Sequence, residues 1–238
     1  MPAQKGLSND KLKIIAAAAM AVDHVGAYLF PHIAMLRIIG RVAFPIFAFM
    51  VAEGCRYTRN RKKYLLNMFV LALICQLLFF PFKPLNYVRI PVTFTLAIII
   101  VYALDNTVKT FNRDCKTRQK AVSGFVLLAA VAAVWLLDKI LVIDYGFYGC
   151  ITPAIIYTVC CNEDGKNINI LNMQLIMLAS ALMLVYINYG GLQIYSFLAI
   201  PLISEYNGKR ENLVPKYFFY IFYPLHLAII YAVQMIIY

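Results

Sequence analysis

The chain is poor in charge. Only 14% of its 238 residues are Asp, Glu, Lys or Arg, against about 25% in an ordinary soluble domain. Hydrophobic residues make up 63%, and the mean hydropathy is +0.73. This deficit excludes a soluble enzyme and reads as a polytopic membrane protein, a single helical transmembrane domain over 1–238 with no separate soluble domain. Acid is scarcer than base, 11 residues against 22, which leaves a net charge of +11. Such an excess can signal nucleic acid. Here the basic residues fall in loops between apolar runs, as membrane topology requires, so no nucleic-acid partner is expected.

Other absences narrow the chemistry. The six cysteines (Cys55, Cys75, Cys115, Cys150, Cys160 and Cys161) form no CxxC pair and no His/Cys metal spacing. They are expected to pack helices, and no metal is expected; Cys150, which follows a polar stretch, is the one candidate nucleophile among them. There is no internal repeat, which counts against repeat-built transporters. The opening MPAQKGLSNDKLK lacks a small-residue cleavage site, so the first apolar run is expected to be a retained helix.

What is present is a series of apolar windows: 12–30, 34–55, 64–82, 91–108, 120–141, 146–161, 169–187, 191–204 and 216–238. The eighth is short for a span and reads as re-entrant or tilted. With the N-terminus in the cytoplasm, the inner loops hold Lys5, Lys11, Lys13, Arg56, Arg59, Arg61, Lys62, Lys63, Lys109, Arg113, Lys116, Arg118, Lys120, Lys166, Lys209, Arg210 and Lys216. The outer loops hold Lys83, Arg89 and Lys139, while Arg37 and Arg41 stand at the start of the second window. The expectation is an all-α bundle of about nine transmembrane helices, N-terminus cytoplasmic and C-terminus outside. Many of the 17 tyrosines and 16 phenylalanines suit interfacial belts.

Ionisable residues within spans are rare and are usually functional. The first window carries Asp23 and His24 in its outer half. The second carries Arg37 and Arg41, which share a helix face, and Glu53 near its inner end. Asp144 stands in DYGFYGC before the sixth, and His226 lies near the middle of the last. His32, the third histidine, is expected in an outer turn in contact with water. Adjacent helical residues point about 100° apart, so Asp23 and His24 do not form a dyad. A buried carboxylate needs a cation, and Arg37 or Arg41 can reach Asp23 across a short hairpin. His24 is left facing the interior, suited to proton chemistry near neutral pH. Pro45 and Pro224 should kink their helices beside these polar residues.

The segments LKIIAAAAMAVDHVGAYLF, LRIIGRVAFPIFAFMVAEGCRYTRNRKKYL and KYFFYIFYPLHLAIIYAV, with FTL (Phe94–Leu96) and DYGFYG (Asp144–Gly149) between them, resemble the TraX family of bacterial membrane proteins. The resemblance covers essentially the whole chain, and only the central loop and seventh window are generic. It implies a multi-pass protein of the bacterial cytoplasmic membrane. It also implies an acetyltransferase, since the founding member acetylates the N-terminus of conjugative pilin with acetyl-CoA as the expected donor. The family is distantly similar to integral-membrane acyltransferases that act on polysaccharides and on heparan-α-glucosaminide. In those a histidine near the outer end of an early helix serves the transfer, a placement that His24 matches.

The reaction expected is acetyl transfer from cytoplasmic acetyl-CoA to an amine or hydroxyl, on a peptide N-terminus or a glycan, at the outer half of the bilayer. His24 is the expected general base, with Asp23 and Arg41 as the supporting pair. Arg37, His226, Tyr223, Asp144 and Tyr145 are candidates for binding the acceptor or the carbonyl oxygen. Glu53, Arg56, Arg59, Arg61, Lys62 and Lys63 are candidates for guiding the CoA end, whose phosphates need cations. A homo-oligomer is compatible with this reading. Two rivals are a proton-coupled transporter, which would also bury Asp, His and Arg, and a non-catalytic pilus or membrane assembly protein.

Overall fold

Helix α1 (Asn9–Tyr28) starts where Ser8 caps it, the hydroxyl accepting from the Lys11 amide at 3.4 Å with Asp10 in the first turn. The run of four alanines at 16–19 favours helix and gives a thin surface for close packing. The computed structural model describes residues 6–79, 86–113, 115–162, 170–215 and 217–237. Lys5, Lys83, Lys166 and Lys216 of the charge pattern lie outside the described residues. The chain divides into two compact units, residues 1–50 with 186–238, and residues 51–185.

In the first unit α1 turns back at 29–33 into α2 (Ala34–Gly40). Two glycines let these helices meet: a methyl on Gly26 would sit 2.7 Å from Leu36 Cβ, and one on Gly40 would overlap the Asp23 side chain. The helix stops at Gly40 and restarts as α3 (Ala43–Tyr57). Pro45 is expected to kink this run by removing a backbone hydrogen bond. The break falls around Arg41, the residue whose carbonyl would have accepted from position 45 and which the proline ring crowds. Pro45 itself lies in the first turn of α3, where an amide is not needed. After a 3₁₀ stretch, Gly191–Leu198, and the short α9 (Ala199–Ser204), the chain ends in α10 (Phe218–Ile237).

Helix α10 packs on α1 in parallel. Lys13 lies over the Phe219 ring at 5.9 Å, His24 meets Tyr223 and His226, and Tyr28 meets Tyr231 at 4.8 Å between ring centroids. The start of α1 is tied to the approach to α10: Leu7 donates to the Glu205 carbonyl, Asn207 to the Leu7 carbonyl, and the Leu213 amide to Asp10 Oδ2 at 3.0 Å. Leu12, Ala16, Ile46, Phe49, Ile203 and Leu227 fill the core of this unit.

In the second unit α4 (Arg61–Phe79), α5 (Ile90–Asn112), α6 (Thr117–Ile140) and α7 (Gly146–Tyr157) alternate in direction. Two-residue strands close one end, β1 (Tyr87–Val88) pairing in parallel with β2 (Val142–Ile143). A 3₁₀ turn, Thr158–Asn162, follows α7, and α8 (Ile170–Tyr189) runs from 170 into the first unit's residues. Ile98, Val101, Ile156, Leu178 and Leu182 form the core here.

Among the described residues, each of the nine apolar windows falls mainly on helix. Six described helices are long and apolar enough to cross a bilayer: 34–57 (α2 with α3), α4, α5, α6, α8 and α10. The other three windows fall on α1, which is 20 residues long but carries Asp10, Lys11, Lys13 and Asp23, and on the shorter apolar helices Gly146–Cys161 and Gly191–Ser204.

Candidate functional site

The first unit holds the candidate centre. Asp23 projects from α1 onto the break between α2 and α3. Its Oδ2 accepts from Arg37 Nη1 and its Oδ1 from Arg41 Nη2, both at 2.6 Å. Arg37 Nη1 also donates to the Asp23 carbonyl at 3.1 Å, and Arg41 Nε to the Arg37 carbonyl at 3.3 Å. The hairpin spacing allowed either arginine as partner, and both bind, one to each carboxylate oxygen. The side chains of Arg41 and Asp23 are 9% and 13% exposed, while that of Arg37 is 30% exposed. One carboxylate thus holds two cations, and the cluster keeps a net positive charge. Arg37 is the member nearer the surface.

His24 points elsewhere, as its position next to Asp23 requires. Its Nδ1 lies 2.8 Å from Nε2 of His226 on α10. The other nitrogen of His226, Nδ1, lies 2.8 Å from the Phe222 carbonyl oxygen. Tyr28 and Tyr223 flank His24, with centroids at 6.2 and 6.5 Å, and Tyr223 meets the His226 ring edge-on at 5.7 Å. His226 and Tyr223 are buried. The two residues assigned to acceptor binding on α10 therefore sit around the His24 ring, and His226 is turned toward that ring. His32 is exposed at the hairpin, away from this cluster.

The remaining candidates belong to the second unit. Glu53 is buried. Its Oε1 accepts from Gln174 Nε2 on α8 at 2.9 Å and faces Arg56 Nη1 at 3.7 Å. Arg56 also lies over the Tyr57 ring. Arg61 pairs with Asp105 on α5 at 2.6 Å and stacks over Tyr102. Arg59, Lys62 and Lys63 are exposed around the start of α4, where Asn60 Oδ1 caps the Lys63 amide at 2.9 Å. Arg61 is thus committed to a carboxylate of its own unit. Arg59, Lys62 and Lys63 are the segment's surface cations.

Asp144 and Tyr145 lie at the opposite end of the same unit, in the turn between β2 and α7. Tyr87 donates its hydroxyl to Asp144 Oδ1, and Thr93 Oγ1 donates to the Asp144 carbonyl at 2.9 Å. Tyr145 adopts a left-handed backbone, φ 60°, ahead of Gly146 at φ 52°. A methyl on Gly149 would strike Tyr145 Cβ, so this tight turn depends on that glycine. Cys150 is fully buried in α7.

Asp105 is a buried ionisable residue that sequence reasoning passed over. Besides Arg61 it accepts from Lys109 Nζ at 2.8 Å and from the Tyr157 hydroxyl at 2.9 Å, tying α4, α5 and α7 together. The signal was an aspartate in the apolar run 91–108 with a lysine four residues on. Among the described residues no group of His, Cys, Asp and Glu is arranged to hold a metal ion.

The family model for TraX protein matches residues 8–234. A probable fimbrial assembly protein, FimC of serogroup H1, from Dichelobacter nodosus is 25% identical over 246 aligned positions, covering 94% of this chain and 95% of that protein. An uncharacterized protein of Rickettsia prowazekii (strain Madrid E) is 30% identical over 137 residues, 58% of this chain and 50% of that protein. The chain therefore spans half the length of this second relative. No solved structure matches.

Proposed function

The chain belongs to the TraX family, and on that premise we propose that it is a membrane-embedded acetyltransferase that uses acetyl-CoA. The carrying observation is the first-unit cluster: a histidine in ring-to-ring contact with a second histidine, beside a carboxylate clamped by two arginines. A packed helix interior has no structural need for five ionisable groups in so small a region, and such groups are costly in a bilayer.

The step needs a base and an oxyanion stabiliser. His24 takes the proton from the acceptor's amine or hydroxyl. The lone pair released forms the bond to the thioester carbonyl carbon, whose π electrons move onto oxygen. Arg37, the more exposed arginine, stabilises that oxyanion. Collapse breaks the C–S bond, and the CoA sulfur leaves as the thiol with the proton carried by His24. Asp23 and Arg41 hold α1 and α2 so that His24 keeps its direction. Arg59, Lys62 and Lys63 contact the CoA phosphates. Cations in a helix's first turn oppose its dipole by about 0.3–1 kcal/mol each, and a bound anion would reverse the sign of that effect.

The proposed topology has nine crossings, N-terminus in the cytoplasm and C-terminus outside, in a bacterial cytoplasmic membrane. The parallel packing of α1 on α10 supports it, since parallel first and last spans leave the termini on opposite faces. The proposed acceptor is a peptide N-terminus such as that of a pilus subunit, supported by the similarity to a probable fimbrial assembly protein; a glycan is the alternative.

The test is purified protein in lipid nanodiscs with labelled acetyl-CoA and a panel of peptide and glycan acceptors. His24→Ala should lower transfer by about 10²–10⁴-fold, and acetyl-CoA at 100 times its Kd should stabilise the wild type by about 2.7 kcal/mol. A folded His24→Ala protein with full transfer would refute the assignment. Substrate-driven ion flux without label transfer would point to a transporter.

A further inference from the structure

The Phe222 carbonyl, His226 and His24 form a row that sets the direction of a proton. The His24 and His226 planes lie within 16° of each other with centroids 5.0 Å apart. That spacing equals the 2.8 Å nitrogen contact plus the two ring radii, so the rings meet edge to edge rather than face to face. Each nitrogen then lies along the other's in-plane axis, the favourable geometry for a hydrogen bond.

A carbonyl oxygen only accepts. The contact between His226 Nδ1 and the Phe222 carbonyl therefore places the hydrogen on Nδ1. A neutral imidazole with its hydrogen on Nδ1 carries the lone pair on Nε2. That lone pair faces His24 Nδ1, which must be the donor. The lone pair of His24 then falls on its Nε2. For the neutral pair no other placement of hydrogens satisfies both contacts. The order is His24 Nδ1–H to His226 Nε2, and His226 Nδ1–H to the Phe222 carbonyl.

We propose that His226 is a positioning residue: it fixes His24 as the Nδ1–H tautomer and so makes His24 Nε2 the basic nitrogen. This rests on the acetyltransferase reading for its functional consequence, though not for its geometry. When His24 Nε2 takes the acceptor's proton, the ring becomes an imidazolium whose Nδ1–H still points at the lone pair of His226. No hydrogen need move and no ring need flip, and the same proton leaves with the CoA sulfur. A neutral ring does here what an aspartate does in a Ser-His-Asp triad, orienting the base and accepting from it. Asp23, the carboxylate next to His24 in the chain, is occupied by Arg37 and Arg41. A second independent element, α10, supplies the partner, 202 positions along the chain from the base.

The test reads tautomers directly. With three histidines in the chain, ¹⁵N-histidine labelling and single substitutions assign His24. The wild type should show His24 and His226 each protonated at Nδ1 and bare at Nε2. His226→Phe keeps a ring but removes the acceptor, and should move His24 toward the Nε2–H form. His226→Gln, whose amide oxygen stands near the position of Nε2, should retain the wild-type form. In acetyl transfer His226→Phe should lose about 10²–10⁴-fold in kcat with KM for acetyl-CoA unchanged, and His226→Gln should recover most of that loss. The proposal is overturned by His24 bare at Nδ1 in the wild type, by a doubly protonated His226, or by His226→Phe and His226→Gln losing kcat equally. If the tautomers are as stated and no substrate is acetylated, the enzymatic reading fails while the positioning of His24 stands.

Discussion

Gly40 is where one methyl group should do the most damage. The α1–α2 hairpin closes with Gly40 against Asp23, and a methyl on Gly40 would overlap Asp23 Cβ and Oδ1 and come within 2.5 Å of Cγ. Ordinary contact begins near 3.4 Å, so α1 and α2 must part by roughly 1 Å or Asp23 must turn. Neither movement is compatible with two 2.6 Å bonds from one carboxylate to two arginines. Overpacking a close contact costs about 1–3 kcal/mol. Breaking a buried ion pair costs about 3–5 kcal/mol, reduced here because Arg37 is 30% exposed. Gly40→Ala should therefore destabilise by about 3 kcal/mol or more and abolish whatever activity depends on His24. Gly124 in α6 provides the control, because a methyl there meets nothing within 4 Å. Gly124→Ala should be neutral or stabilise by up to about 1 kcal/mol, since alanine loses less backbone freedom on entering a helix. The assay is thermal loss of helical circular dichroism in the same lipid for both variants. Equal melting of the two, or a more stable Gly40→Ala, would refute the close-approach argument.

The two arginines should not be equivalent. Arg41→Gln removes the buried partner and should destabilise by about 3 kcal/mol, whereas Arg37→Gln should cost about 1 kcal/mol but lower the transfer rate if it faces the oxyanion; denaturation curves and rates on the same samples separate the two effects. Asp105→Asn removes the charge that holds Arg61 and Lys109. It should cost about 2 kcal/mol, less than a fully buried pair because both partners are partly exposed. Buried Cys55, Cys75 and Cys150 all lie in that unit, so faster maleimide labelling on heating reports it. Replacing Arg59, Lys62 and Lys63 together by Gln should raise the KM for acetyl-CoA and leave kcat and melting nearly unchanged, because these side chains are on the surface.

What could be read in advance follows the range of the physics involved. Helix positions come from local hydropathy, and among the described residues each apolar window falls mainly on helix. Their lengths did not follow as well. Pro45 acts four residues before itself, so the interruption at Arg41 had to be inferred from the proline's lost partner rather than from its position. The tie between Asp23 and the arginines was legible because a short turn leaves few choices. That both arginines bind was not, because it depends on Gly40 letting the helices close. Asp105 was passed over although its lysine stands one turn away, since its principal partners, Arg61 and Tyr157, come from other helices.

His24 and His226 mark the limit of such reading. Each stood out alone as an ionisable residue in an apolar run, but nothing in either segment points to the other. Parallel packing of α1 on α10 puts them at one depth, and that packing is set by many small contacts, from Lys13 over Phe219 to Tyr28 against Tyr231. Once the depth is shared, the Phe222 carbonyl decides which nitrogen of each ring holds hydrogen. Which nitrogen of His24 holds the hydrogen is thus fixed by a backbone atom of another helix, through a ring between them. A substitution that shifts α10 along α1 by one residue, about 1.5 Å of rise, would leave both histidines in place in the sequence and still separate them.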